Sequence, residues 1–176
     1  MSNLYVMEAA NLFAGDHDPT ASLHLELTEL ALPNLEEMFQ DHHPGGSRVQ
    51  IEVAVGINKL SSTFKLAGWN PGLLTQFGLG ETARRMFTAY GVIRDKREGR
   101  AIEAKALIEG RLGKAEADAF QRGELQGHDY AINEIMHYEL WFDGKEKIFW
   151  DFFSTEWRVD GVAQNADEIA ILGITG

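Results

Sequence analysis

The sequence predicts a mainly β protein of antiparallel strands, built as two packed sheets in a sandwich or partial barrel, with one short α-helix. Three observations carry this. Tyr130, Ile132, Met136, Tyr138, Leu140 and Phe142 recur at every second position, broken only by Glu134, and Asp129, Asn133, His137 and Glu139 alternate with them. Asp143-Gly144 then supplies the residue pair of a two-residue type I′ turn, whose central positions both need positive φ. Val49, Ile51, Val53 and Val55 give a second clean alternation, against Arg48, Gln50, Glu52 and Ala54.

The stretch from His128 to Phe153 organises the chain. Fully extended, its first arm spans roughly 50 Å. A two-residue turn at Asp143-Gly144 sets Phe142 against Lys145, Tyr138 against Phe149 and His137 against Trp150. The return strand carries Ile148, Trp150 and Phe152 on one face and Phe149 and Phe153 on the other. Aromatic residues on both faces call for a cover on each side, and a neighbouring subunit is the simplest one.

The remaining elements follow in order. Gly15-Asp16-His17-Asp18-Pro19 reads as a loop, and Leu23, Leu25 and Leu27 alternate as a strand. Leu32-Pro33-Asn34-Leu35 breaks that strand. The polar, His-rich stretch of about 36–47 reads as an extended exposed loop with a helical turn near Leu35 to Phe39. Arg48 to Ala67 reads as a hairpin turning at Gly56-Ile57-Asn58-Lys59, with Leu60, Ser62, Phe64 and Leu66 inward and Ser61, Thr63, Lys65 and Ala67 outward.

Asn70 as N-cap, Pro71 at the first turn and Leu73, Leu74 and Phe77 on one face predict the helix, with Gly78 as its stop. Ala101 to Gly110 suits a helix by composition, but Ile102, Ala104, Ala106 and Ile108 alternate, and strand is the reading adopted. Gly113 to Gly127 reads as a loop. A turn at Asp160-Gly161 opens a C-terminal tail from about residue 160, and residues 1–176 are expected to form one domain.

The chain has no cysteine, which excludes disulfides and thiolate metal sites. No stretch approaches the roughly 18 apolar residues of a membrane span, and a soluble protein made in the cytoplasm, with no membrane insertion, is expected. Its net charge of −11 argues against ordinary nucleic-acid binding, which neutralises phosphates with Lys and Arg. The charge is uneven: residues 84–114 hold 9 basic and 4 acidic side chains, residues 116–146 hold 2 and 8. Such asymmetry offers unlike faces to successive subunits, with solvated surface as the plainer reading.

No catalytic constellation emerges. Glu36-Glu37 and Glu116 with Asp118 are paired acids in polar stretches, and read as solvated surface. His42-His43 beside Asp41 is a poor metal site, because adjacent residues of an extended chain point apart. Phosphate loops, nucleophile elbows and His-Glu-x-x-His runs are lacking, and no enzyme activity, metal or cofactor is expected.

These landmarks in this order resemble the major tail tube protein of contractile-tailed phages, a family shared with contractile bacteriocin tubes. The resemblance covers nearly the whole chain. It rests on Asn11-Leu12-Phe13, Leu32-Pro33-x-Leu35, the hairpin around Gly56, Phe64-x-Leu66-x-Gly68, Phe77-Gly78-Leu79, Gly110-Arg111, Tyr138 ahead of Phe142-Asp143-Gly144-Lys145-Glu146 with Asp151 beyond, Val159-Asp160-Gly161-Val162 and Leu172-Gly173-Ile174. The acid-rich stretch 113–127 and the charged run Arg94 to Arg100 depart from the family pattern.

The resemblance implies a structural virion protein of the tail tube, assembled in the bacterial host cytoplasm. Six copies form a ring, a sheet from each joining a continuous inner β-barrel, and rings stack into a hollow tube that conducts double-stranded DNA. It implies as partners the sheath protein, tape measure protein, baseplate hub and tail terminator. The type VI secretion tube protein is similar in fold. Within this reading Gln50, Glu52, Ser61, Thr63 and Lys65 are expected to face the lumen, with Lys65 paired to Glu52 across the hairpin. Glu36, Glu37, Asp41, His42 and His43 form the expected inter-ring loop. Closing sheets between subunits removes exposed strand edges, and an acidic wall does not hold phosphates. The alternatives are a bacteriocin or type VI-like tube, a small β-barrel ligand-binding module, and an enzyme subunit.

Overall fold

The computed structural model describes residues 3–15, 21–78, 80 and 84–174. In chain order the elements are β1 (Tyr5–Ala14), β2 (Leu27–Ala31), β3 (Glu37–His42), β4 (Ile51–Ile57), β5 (Ser62–Ala67), α1 (Pro71–Leu74), β6 (Arg84–Asp95), β7 (Ala101–Ala117), β8 (Gly127–Phe142), β9 (Lys145–Asp151), β10 (Trp157–Val159), β11 (Val162–Ala163) and α2 (Ala166–Leu172). All pairings are antiparallel, in a nine-stranded sheet and a two-stranded one, β3–β4.

The large sheet curls. Along β1-β6-β7-β8-β5-β2 it nearly closes on itself, since the Phe13–Ser22 bridge and the Leu23 N–H to Leu12 carbonyl bond (2.9 Å) bring the chain leading into β2 back to β1. The result is a partial barrel filled from the alternating inward positions: Leu12, Phe64, Leu66, Phe87, Ile108, Leu112, Tyr130, Ile132 and Tyr138 are all buried. Phe64 stacks on Tyr130 with centroids 5.1 Å apart. Burial pushes the Tyr138 hydroxyl up to about 12. Helix α1 plugs one opening with Leu73, its Asn70 N-cap accepting the Leu73 N–H at 2.9 Å. It ends at Thr75 in right-handed geometry, so Gly78 is not its stop.

Strand β8 forks the sheet. Its first half pairs with β5 and its second half with β9, while β7 runs along the other edge. At the fork β8 bulges: Glu109 pairs with His137 and Arg111 with Asn133, so two extra residues of β8 sit opposite Gly110. Glu134 takes φ +50 there, and two extra residues preserve the alternation, which is why Tyr130, Ile132 and Tyr138 share the core face. Gly110 is required: a Cβ would stand 2.7 Å from Ile132 Cγ2 and 3.0 Å from the Asn133 carbonyl.

Asp143 (φ +52) and Gly144 (φ +71) occupy the β8–β9 turn, and Phe142 faces Lys145. Beyond it the register slips by one residue between Leu140 and Trp141, setting Tyr138 against Trp150 and His137 against Asp151 rather than against Phe149 and Trp150. The slip sorts the aromatic residues. Ile148 and Trp150 pack on the core, while Phe149 turns outward beneath the Arg158 guanidinium, 3.5 Å away.

Several expectations need correction. Residues 36–47 are not one loop: β3 occupies Glu37–His42, because β4 offers it a pairing edge. Strand β4 therefore does not pair with β5; Leu27–Ala67 is one long hairpin, β2–β5 at its base and β3–β4 as its outer arm, broken near Pro33. Strand β7 continues to Ala117, confining the following loop to 118–126. The segment from 160 is not only a tail, since it holds β11 and a second helix, α2. The loop expected at Gly15 to Pro19 lies, beyond Gly15, outside the described residues.

Candidate assembly surface

The β3–β4 arm is exposed along its whole length on both faces. A two-stranded ribbon is marginal by itself in water, and this one carries Phe39, Ile51, Val53 and Val55 between 43% and 56% exposed. The pairing Phe39–Ala54, Gln40–Val53, Asp41–Glu52 and His42–Ile51 gives the ribbon two unlike faces. One presents Glu37, Phe39, Asp41, Glu52 and Ala54; the other presents Met38, Gln40, His42, Ile51 and Val53.

This register joins two groups that the sequence kept apart. Glu52, expected in the lumen, and Asp41, expected between rings, are direct cross-strand neighbours. Gln50 lies just before β4 and is exposed; His42 lies on the aliphatic face; His43 is in the arm tip, its Nε2 3.2 Å from the Ser47 carbonyl. Ser61, Thr63 and Lys65 sit away from the arm, on the outside of the barrel. Lys65 does not pair with Glu52, which is on a different ribbon; it lies 3.4 Å from Asp118 and 3.5 Å from Asp129.

The arm is also where charge goes uncompensated. Residues 36–57 hold Glu36, Glu37, Asp41 and Glu52 against Arg48 alone. Among the described residues none of these acids forms an ion pair. The basic stretch 84–114 behaves oppositely. Arg84 and Arg111 hold Glu134, Arg94 and Lys96 hold Glu8, Arg100 holds Asp143 and Lys114 holds Glu116. The linear asymmetry is thus largely neutralised within the fold, and the unlike-face reading loses its basic half.

Between the arm root and β9–β10, in the fork of the sheet, lies a groove of about 740 Å³. Ile57, Leu60, Ile135, Met136, Trp150 and Trp157 give it apolar walls. On the outer side of the same hairpin, His137 has Nδ1 3.1 Å from Asp151 and Nε2 2.9 Å from Glu139, and Arg158 grips Glu146 through two bonds of 2.9 and 2.8 Å. These charges are partnered and packed, as in a structural wall. Among the described residues no group of three or more His, Asp or Glu side chains is placed to hold a metal ion, and no helix is long and apolar enough to cross a membrane.

An exposed ribbon with an apolar groove at its root thus projects from a close-packed partial barrel. The family of phage tail tube protein FII matches residues 7–173. The chain belongs to that family. Its members are structural proteins, not enzymes. No curated protein matches it. Among solved structures, a chain of the anti-feeding prophage (AFP) baseplate, 6-fold symmetrised, is similar at 14% identity, with 80% of this chain and 97% of that one covered and a TM-score of 0.51. A chain of the PVC sheath–tube complex, from an extracellular contractile injection system in its extended state, is similar at 6% identity, with 72% and 86% covered and a TM-score of 0.50. These likenesses support the tail tube fold. The Asp143-Gly144 turn, the alternation of β5 and β8 and the Asn70 cap of α1 are legible in the sequence; the groove is not, because it arises where β8 changes partners.

Proposed function

We propose that this chain is the inner tube subunit of a contractile tail. Six copies form a ring, each lending its β3–β4 arm to a continuous inner barrel, and the rings stack into a hollow conduit for double-stranded DNA. The observation that carries this is the arm itself, exposed on both faces, with the unpaired acids beside Phe39 on one and Met38, Ile51 and Val53 beside Gln40 and His42 on the other.

In the ring the aliphatic face lies against the neighbouring copy and the acidic face, with Glu37, Asp41, Glu52 and Gln50, lines the bore. Ser61, Thr63 and Lys65 continue that wall toward the barrel, and the tip around His43 meets the next ring. A wall of unpaired carboxylates repels phosphate, so DNA passes without being held. The sheath encloses the tube, the baseplate hub starts it, the tape measure protein sets its length and the tail terminator ends it, in a particle assembled in the host cytoplasm. Negative-stain electron microscopy across a concentration series tests the reading. Hollow rings or tubes are expected, and Ile51→Asp with Val53→Asp abolishes them while leaving a folded monomer. Compact monomers at every concentration, also with an added baseplate initiator, would overturn it.

A further inference from the structure

Helix α2 has no buried residue; Ile171 and Leu172 are 85% and 71% exposed. Seven residues fall short of the roughly 12 to 15 that an isolated helix needs in water, and within its own subunit only Ile169 of the helix is half-buried, so α2 is left largely unpacked. It is nonetheless firmly built. Gly173 closes it at φ +66, with the Ile174 N–H bonded to the Ile169 carbonyl at 3.1 Å. Asn165, at the N-cap position, does not cap: its Oδ1 accepts the Trp157 N–H at 3.0 Å and its Nδ2 donates to the Thr155 carbonyl, fixing the helix root to the β9–β10 turn.

The groove supplies what α2 lacks. Its walls are mostly apolar; Glu134, which also borders it, is held by Arg84 and Arg111, Gln164 and Asn165 at the root of the same subunit's α2 form part of its edge, and Lys59 beside it is exposed and without an ion pair among the described residues. Asp167 and Glu168 in the first turn of α2 are likewise unpaired. Ile169 and Leu172, three apart, share one helix face. We infer that α2 of one copy seats in the groove of the next, with Ile169 and Leu172 against Ile135, Met136, Trp150 and Trp157, and with Asp167 and Glu168 facing Lys59. The contact is heterologous, the same two unlike surfaces repeating around the ring until it closes. It rests on the tube reading, and it makes α2 the lock between ring neighbours.

The chain has no native cysteine, so an engineered pair reports without background. Oxidation of assembled Met136→Cys/Leu172→Cys protein is expected to give a ladder of covalent oligomers on a denaturing gel, and each single variant none. Leu172→Asp is expected to raise the concentration needed for assembly roughly tenfold or more, about 1.4 kcal/mol per contact. Its monomer should melt like the parent, since Leu172 is exposed. A crosslinked monomer alone, meaning that α2 folds onto its own groove, would overturn the inference. So would parent-like tubes from Leu172→Asp, or tubes of the cysteine pair that do not crosslink. If the parent chain forms no rings at all, the tube reading fails first and this inference with it.

Discussion

Asp41 and Glu52 stand directly across the β3–β4 ribbon from each other, two carboxylates on one face with no cation between them. Like charges in that relationship cost about 0.2–1 kcal/mol. In the proposed ring the acidic faces of neighbouring arms are brought together and add to this repulsion, and salt reduces it. Glu52→Gln is therefore expected to assemble at lower concentration than the parent at low ionic strength, with the difference fading above roughly 0.5 M salt as the screening length shrinks toward 3 Å. Sedimentation of tubes over a salt series checks this. An advantage independent of salt would mean that the pair does not sit in an aqueous bore.

The fork in the sheet gives a second expectation. Gly110 faces the β8 bulge so closely that any Cβ meets Ile132 and the Asn133 carbonyl, and neither can yield without disturbing the core. Gly110→Ala should cost about 1–3 kcal/mol, the usual range for overpacking, with the loss seen as a lower denaturation midpoint and an unchanged m-value. Gly45→Ala, in the arm tip with nothing within 4 Å, should be nearly neutral and serves as its control.

These two sites differ in how far the sequence reveals them. The alternation from Tyr130 to Phe142 marks the core strand because its period is a local property, and Asp143-Gly144 marks its turn for the same reason. Strand β3 has no such mark. In Glu37 to His42 each face mixes one apolar side chain, Phe39 or Met38, with two polar ones, so no alternation marks it, and Asp41 and Glu52 fall into separate groups until the register is known. The bulge at Glu134 is equally nonlocal, depending on Gly110 across the sheet and on Arg84 and Arg111, which hold its carboxylate. The register slip beyond Leu140 moved Trp150 from beside His137 to beside Tyr138, and with it the whole outer wall of β9. Charge runs misled for a related reason: the 84–114 bases find acids contributed by β1, the β8–β9 hairpin and the bulge.

Acid should probe that outer wall. The paired bonds from Arg158 hold the Glu146 carboxyl below its ordinary value, against an opposing push from burial. A depressed carboxylate contributes stability that is complete above its unfolded value, near 4.5, and is lost as pH falls through the folded value. Glu146→Gln should therefore be less stable than the parent at neutral pH, and the gap should narrow as pH falls below about 4.5. Chemical denaturation at pH 7 and at successive steps down to pH 3 measures the gap. Glu8, Asp143 and Asp160 are held down by Lys96, Arg100 and Lys147, so both proteins still lose stability in acid and only the difference reports on Glu146.

The β8–β9 turn separates backbone from charge. Asp143 carries both a positive φ and paired bonds from Arg100 at 3.2 and 3.0 Å, whereas Gly144 carries only its conformation. The Arg100 pair is half-exposed, so its removal costs little. Asn tolerates the left-handed region well, and Asp143→Asn should melt close to the parent. Gly144→Ala forces a Cβ into φ +71 and should cost about 1–2 kcal/mol. Thermal melts of both variants decide between the two contributions. If Asp143→Asn proved the more damaging, the hairpin would be held by its ion pair rather than by its turn.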